Sequence, residues 1–178
     1  MVDASDPAQG VLIDLDFAAQ VTEHGDPLDG ETFPPAGTLN FRAYDLLTPN
    51  KPLKAYYRHD LESFFYTLLW IQLHYVDGKE IVHPRAKSFE FNFDGTWSVT
   101  QGQKEGFLLC GYFPSRRELP HTSLRDNWIT PMRYLFGEAL MAESDAIASY
   151  REGKGALLDQ DTFGDRVTYE KFTQILQR

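Results

Sequence analysis

The chain has 178 residues, 42% apolar and 14% aromatic, which is ample for a real core and excludes a disordered composition. A formal net charge of −9 excludes general electrostatic attraction to nucleic acid or an anionic membrane surface, and the pair Arg116-Arg117 is too short to reverse that. The single cysteine, Cys110, excludes an internal disulfide and suits a reducing compartment.

The start, MVDASDPAQG, lacks the basic-then-apolar order of a secretory signal. The longest apolar stretch, Leu61 to Val76, is broken by Glu62, Ser63, Thr67, Gln72 and His74. It also falls short of the roughly 20 residues that cross a bilayer. These features read as one soluble domain over 1–178, intracellular (cytoplasmic or nuclear), with no nucleic-acid or membrane partner.

The first element is GVLIDLDFA, residues 10–18. Its run of branched aliphatics after a glycine predicts a short strand at 10–14, buried on both faces and ending in Asp14 and Asp16. Residues 21–40 hold three glycines and three prolines, and Pro27, Pro34 and Pro35 make this a long irregular loop. A short helix is expected near Ala43–Leu47, ending before Pro49.

HDLESFFYTLLWIQLHYVDG gives the clearest helix, with Asp60 as an N-cap or first-turn acid and Gly78 past the end. Leu61, Phe64, Phe65, Leu68, Leu69 and Gln72 trace its i, i+3, i+4 row. Tyr66, Trp70, Ile71 and Leu73 make the other side nearly as apolar, so a central buried helix is expected. Residues 87–99, KSFEFNFDGTWSV, alternate Phe89, Phe91 and Phe93 with polar partners before Asp94-Gly95, which predicts a two-stranded insertion. Ser123 to about Arg151 is again helical, with Pro131 starting or kinking the helix. Thr168 caps a last amphipathic helix to Leu176. The expected fold is mainly α, with short β elements.

Three segments carry candidate chemistry. At a strand end, Asp14-x-Asp16 can fix a carboxylate on Mg²⁺, which takes one or two such ligands plus substrate phosphates. A strand ending in D-x-D also occurs in phosphatases of the haloacid-dehalogenase type, whose motif continues with glycine and threonine or valine where this chain has Phe17-Ala18. The plain alternative is that both acids solvate a strand-to-loop transition. In GTLNFRAYDLL, residues 37–47, Thr38 and Tyr44 read as substrate-facing or regulatory hydroxyls, or as loop hydrogen-bonders. Asp60 reads as a helix cap, or as an acid holding the backbone of a neighbouring loop.

In order, a strand ending L-I-D-x-D, a long irregular segment, G-T-x-x-F-x-A-x-[DE]-L-L and D-L-E-S-F-F-Y-x-L-L-W resemble the C-terminal lobe of a protein kinase. More narrowly, they are similar to the fungal-type protein kinase family, in register over residues 10 to 76. The resemblance implies a helical lobe divided into a metal-binding strand and activation segment (9–48), a central buried helix (59–77), and an insertion with C-terminal helices (83–178). It implies ATP and Mg²⁺ as cofactors and a protein substrate or docking partner. Asp14 would be the Mg²⁺-binding acid, with Asp16 where most kinases keep glycine. Residues 17 to 36 would be the activation segment, and Gly37-Thr38 would begin the part beside the protein substrate. Asp45 takes the place of the glutamate in A-P-E, paired with Arg125 or Arg133 as a late arginine, and Asp60 that of the acid anchoring the catalytic loop.

Kinase chemistry also needs a glycine-rich cover, a strand lysine with its acid partner, and a catalytic loop with base and second metal ligand. Thirteen residues precede Asp14 and none supplies H-R-D-x-x-x-x-N. The chain is therefore expected to be a kinase fragment, inactive alone, with the N-terminal lobe among its partners. The alternative is a non-catalytic, pseudokinase-like interaction module; a weaker one is a D-x-D phosphatase. His24, His59, His74, His83 and His121 show no metal-ligand spacing, G-x-S-x-G is missing, and Trp70, Trp97 and Trp128 are expected in the core.

Overall fold

A segment with no glycine or proline, an acid in its first turn and a histidine in its last has every local reason to be helical. Tyr57–His74 forms α1 accordingly. In the computed structural model, residues 38–48, 56–76, 97–111 and 122–178 are described, with 22, 54, 79 and 80 besides. The expected strand with Asp14 and Asp16, Gly37 with most of the loop before it, and residues 87–96 of the expected hairpin lie outside the described residues. After α1, Tyr75–Val76 (β1) pairs antiparallel with Lys79–Glu80 (β2), in the register Tyr75 to Glu80.

The inner row of α1 is Arg58, His59, Glu62, Phe65, Tyr66, Leu69, Gln72 and Leu73. This corrects the expectation of a helix enclosed all round: Tyr57, Phe64 and Ile71 are exposed, Phe64 by 46%. Apolar periodicity puts Phe64 inside, but the buried row is turned toward Glu62 and Tyr66, whose polar atoms bond each other there. Phe64 instead lays its ring edge-on to Phe172, 5.9 Å away. At the core, the Phe65 ring lies 5.5 Å from Phe136 and 6.1 Å from Phe107.

Trp97–Cys110 forms α2, which the sequence does not announce. Trp97, Ser98 and Val99 make its first turn instead of closing a hairpin. Trp97 is exposed, contrary to the core expectation, and carries the Arg42 guanidinium 4.9 Å from its ring centre. Trp70 is half-buried, edge-on to Phe41 and stacked on His74, while Trp128 packs against the core as expected. Helix α2 buries Thr100, Lys104, Phe107 and Leu108, a helical row.

Thr122–Leu124 (α3) runs through a π turn, Arg125–Ile129, into Thr130–Arg151 (α4). Thr130 N–H reaches the Arg125 carbonyl five residues back. Pro131, which has no N–H to donate, follows directly, and that missing donor favours the wider turn. Helix α4 buries Met132, Arg133, Phe136, Gly137 and Ala139, and Arg133 Nη1 donates to the Leu108 carbonyl of α2 at 2.8 Å.

Beyond α4, Asp159 organises the chain: Oδ1 accepts from Thr162 N–H at 2.8 Å and Oδ2 from Gly164 N–H at 2.6 Å. These bonds hold Phe163, Gly164 and Asp165 at positive φ and turn Phe163 into the core. Tyr169–Leu176 (α5) follows, and its cap is the one expected: Thr168 Oγ1 accepts from Lys171 N–H at 3.2 Å. Thr168→Ala should cost about 1 kcal/mol in chemical denaturation and Thr168→Ser much less, because the serine keeps the acceptor. The architecture is mainly helical, as the sequence predicts.

Candidate functional site

Segment 38–48 is seated on α1 by backbone and charge together. Its turn forms as Phe41 N–H and Arg42 N–H both donate to the Thr38 carbonyl, at 3.0 and 3.2 Å. Ala43 and Leu47 are fully buried, and Tyr44–Leu47 makes the short 3₁₀ helix expected there. Tyr44 N–H donates to Glu62 Oε1 at 2.9 Å, and Tyr66 Oη donates to the same oxygen at 2.9 Å.

One residue further on, Asp45 Oδ2 accepts from Arg58 Nη2 at 2.5 Å. Arg58 is buried, donates through Nε to the Gln160 carbonyl at 2.7 Å, and lies 3.8 Å from the centre of the Phe163 ring. One guanidinium thus joins three parts of the chain. His59 stands on the other side of Asp45. Its Nδ1 accepts from Tyr56 N–H at 3.2 Å, so Nε2 carries the proton and faces Asp45 Oδ2 at 3.5 Å. Burial pushes the Asp45 carboxyl up, but the His59 hydrogen bond and the Arg58 charge outweigh it and hold the group below its ordinary value. Burial pushes His59 down, which keeps the ring neutral at pH 7 despite Asp45.

The inner layer behaves differently. Burial, with Asp45 nearby, pushes Glu62 up to about 7, against the pull of Lys104 and of the Tyr44 and Tyr66 bonds. Lys104 comes from α2; its Nζ lies 3.7 Å from the centre of the Tyr66 ring and donates to the Arg42 carbonyl. Burial pushes it down to about 7, opposed by Glu62 and helped by Arg42. Between these groups is a void of about 10 Å³, lined by Tyr44, Asp45, Arg58 and Glu62 on its polar side and by Leu108, Phe136, Leu140, Phe163 and Val167 on the other. That is room for about one water molecule.

The structure brings Tyr44 and Asp45 into this junction. Thr38 stands exposed at its start, and Asp60 is exposed in the first turn of α1, where the helix dipole favours an acid. Asp14, Asp16 and Gly37 lie outside the described residues. The expected partner of Asp45 is corrected: Arg125 bonds its neighbour Asp126 at 2.9 Å and Arg133 bonds Leu108, so Arg58 takes the role. Sequence reasoning passed over Arg58, His59, Glu62 and Lys104. The spacing 58, 62, 65–66, 69 does place two of them on the row of Phe65, but a charged residue on an apolar row reads as its edge until a partner is known.

These residues fasten a segment; they do not form a nucleotide site. The void is far too small for ATP, and Asp45 is committed to Arg58 and His59. Among the described residues, no three of His, Cys, Asp and Glu are grouped to hold a metal ion, and no helix is long and apolar enough to cross a membrane.

No curated protein and no solved structure matches the chain. Residues 1–72 match the model of one family, described as fungal protein kinase, and the match takes in Asp14, segment 38–48 and most of α1. Kinase chemistry in general uses ATP and Mg²⁺, and the match is to a family of that chemistry. By the motifs along it and by this match, the stretch 1–72 is similar to the fungal-type protein kinases.

Proposed function

We propose that this chain is the helical, substrate-side portion of a fungal-type protein kinase, with a protein-kinase-like arrangement around α1. The family chemistry is phosphoryl transfer from ATP, with Mg²⁺, to a protein hydroxyl. Segment 38–48 is the platform beside the protein substrate, with Thr38 at its exposed edge and Gly37 leading into it. Asp14, aided by Asp16, is the metal-binding acid, and Asp60 is a structural acid of the central helix. The observation supporting this reading most directly is the seating of 38–48: a backbone N–H on Glu62 and an ion pair on Arg58 hold the platform on α1. Such catalysis works by positioning and charge stabilisation, and the described residues contribute positioning only.

These 178 residues alone are therefore expected to transfer no phosphate. The check is to incubate them with radiolabelled ATP, Mg²⁺ and a mixture of unstructured protein substrates. Label transfer that disappears in Asp14→Asn would make the chain a complete enzyme and overturn the inactive-fragment reading. Mg²⁺-dependent hydrolysis of a simple phosphoester, lost in the same variant, would point to the D-x-D phosphatase. The second reading, a pseudokinase-like docking module without turnover, draws on the same seating, whose bonds are all made within the chain.

A further inference from the structure

We propose that the proton on Glu62 sets how firmly segment 38–48 is held against α1, so that the attachment loosens as pH rises toward neutrality. The device belongs to the fold and does not depend on phosphoryl transfer. Glu62 is buried, and both of its hydrogen-bond donors, Tyr44 N–H and Tyr66 Oη, are neutral and converge on one oxygen. A second carboxylate, Asp45, lines the same void, and its charge is already matched by Arg58. The amine of Lys104 lies over the Tyr66 ring and donates to the Arg42 carbonyl, and its charge opposes, without cancelling, the push of burial and Asp45 on Glu62. A proton on Glu62 removes the repulsion from Asp45 while leaving Oε1 free to accept the Tyr44 bond.

Every packed element presents groups to this site. Segment 38–48 supplies Arg42, Tyr44 and Asp45; α1 supplies Arg58, His59, Asp60 and Tyr66; α2 supplies Lys104 and Glu105. Helix α4 adds the charge of Glu143, felt at Tyr44, with apolar Phe136 and Leu140, and the 152–168 stretch adds Phe163 and Val167.

The direction follows from proton linkage. Seated, Glu62 holds its proton up to about pH 7; released into water, it would lose it at its ordinary, lower value. The released state binds fewer protons, so the attachment is complete below the ordinary carboxyl value and is lost as pH rises through the seated one. The opening equilibrium then rises by at most about tenfold per pH unit between roughly 5 and 7. Lys104 works in the opposite sense: its value is lowered when seated, so above about 7 rising pH favours the attached state again. The junction is loosest near neutrality.

Amide hydrogen exchange of residues 41–48, corrected for intrinsic rates and referenced to residues 65–69 of α1, tests this between pH 5 and 9. The expected result is a fall in protection of tenfold or more from pH 5 to 7 and a recovery above it. The fall should vanish in Glu62→Gln, and in Lys104→Met the recovery alone should vanish. Flat protection in the wild-type chain, or the same slope in Glu62→Gln, would overturn the proposal. Carbon-13 NMR of the Glu62 carboxyl in the wild-type chain decides independently of whether a variant folds. Titration near the ordinary glutamate value would overturn it, and titration near 7 would support it.

Discussion

Asp45→Ala is expected to destabilise the chain by about 3–5 kcal/mol in urea or guanidinium titration, the usual cost of stripping one partner from a buried ion pair. The loss exceeds the net worth of the pair because of what remains. Arg58 is 3% exposed, and without Asp45 its Nη2 would keep a full charge inside the protein. The Gln160 carbonyl and the Phe163 ring cannot replace a carboxylate. Asp45→Ala combined with Arg58→Met should recover much of the loss, since removing both charges leaves no orphan. Because the seated Asp45 titrates below its unfolded value, its contribution is present above the ordinary carboxyl range and disappears as pH falls through the seated value. The gap between wild type and Asp45→Ala should therefore close in acid. A loss under about 1 kcal/mol at pH 7 would mean that the pair is as well hydrated as a surface bridge.

Gly137→Val is expected to cost about 1–3 kcal/mol, for a purely steric reason. A Cβ at Gly137 would sit 2.6 Å from the Leu108 carbonyl oxygen, a backbone atom that cannot swing away. The same oxygen accepts the Arg133 Nη1 bond, so parting α2 from α4 also strains a buried hydrogen bond. Gly102 is the control: it stands in α2 with nothing within 4 Å of the added carbon. There Gly102→Ala should raise stability by roughly 0.5–1 kcal/mol, the gain from replacing an unconstrained helix glycine. If Gly137→Val were neutral by thermal melting while Gly102→Ala stabilised, the two helices would have room that this geometry denies them.

Local chemistry alone determined α1, the 44–47 turn and the last helix. Each carries its own start, stop or period within a few residues: the Asp60 turn, the Pro49 stop, the Thr168 cap. The resemblance of residues 10 to 76 to fungal-type kinases was likewise readable, because it lies in the order and spacing of short motifs. Tertiary packing decided the rest. Gly102 and Gly106 weaken the helical signal of α2, and Trp97-Ser-Val continues an alternating pattern, so only its contacts with α4 and with segment 38–48 fix it as a helix. The turned face of α1 depends on hydrogen bonds to Glu62, whose donors at Tyr44 and Tyr66 matter only once 38–48 lies against the helix. The choice of Arg58 over Arg125 or Arg133 as the partner of Asp45 is a question of which surfaces meet. An ion pair leaves no periodic trace in a chain, so the sequence pointed to Arg125 or Arg133 and the packing brought Arg58 instead.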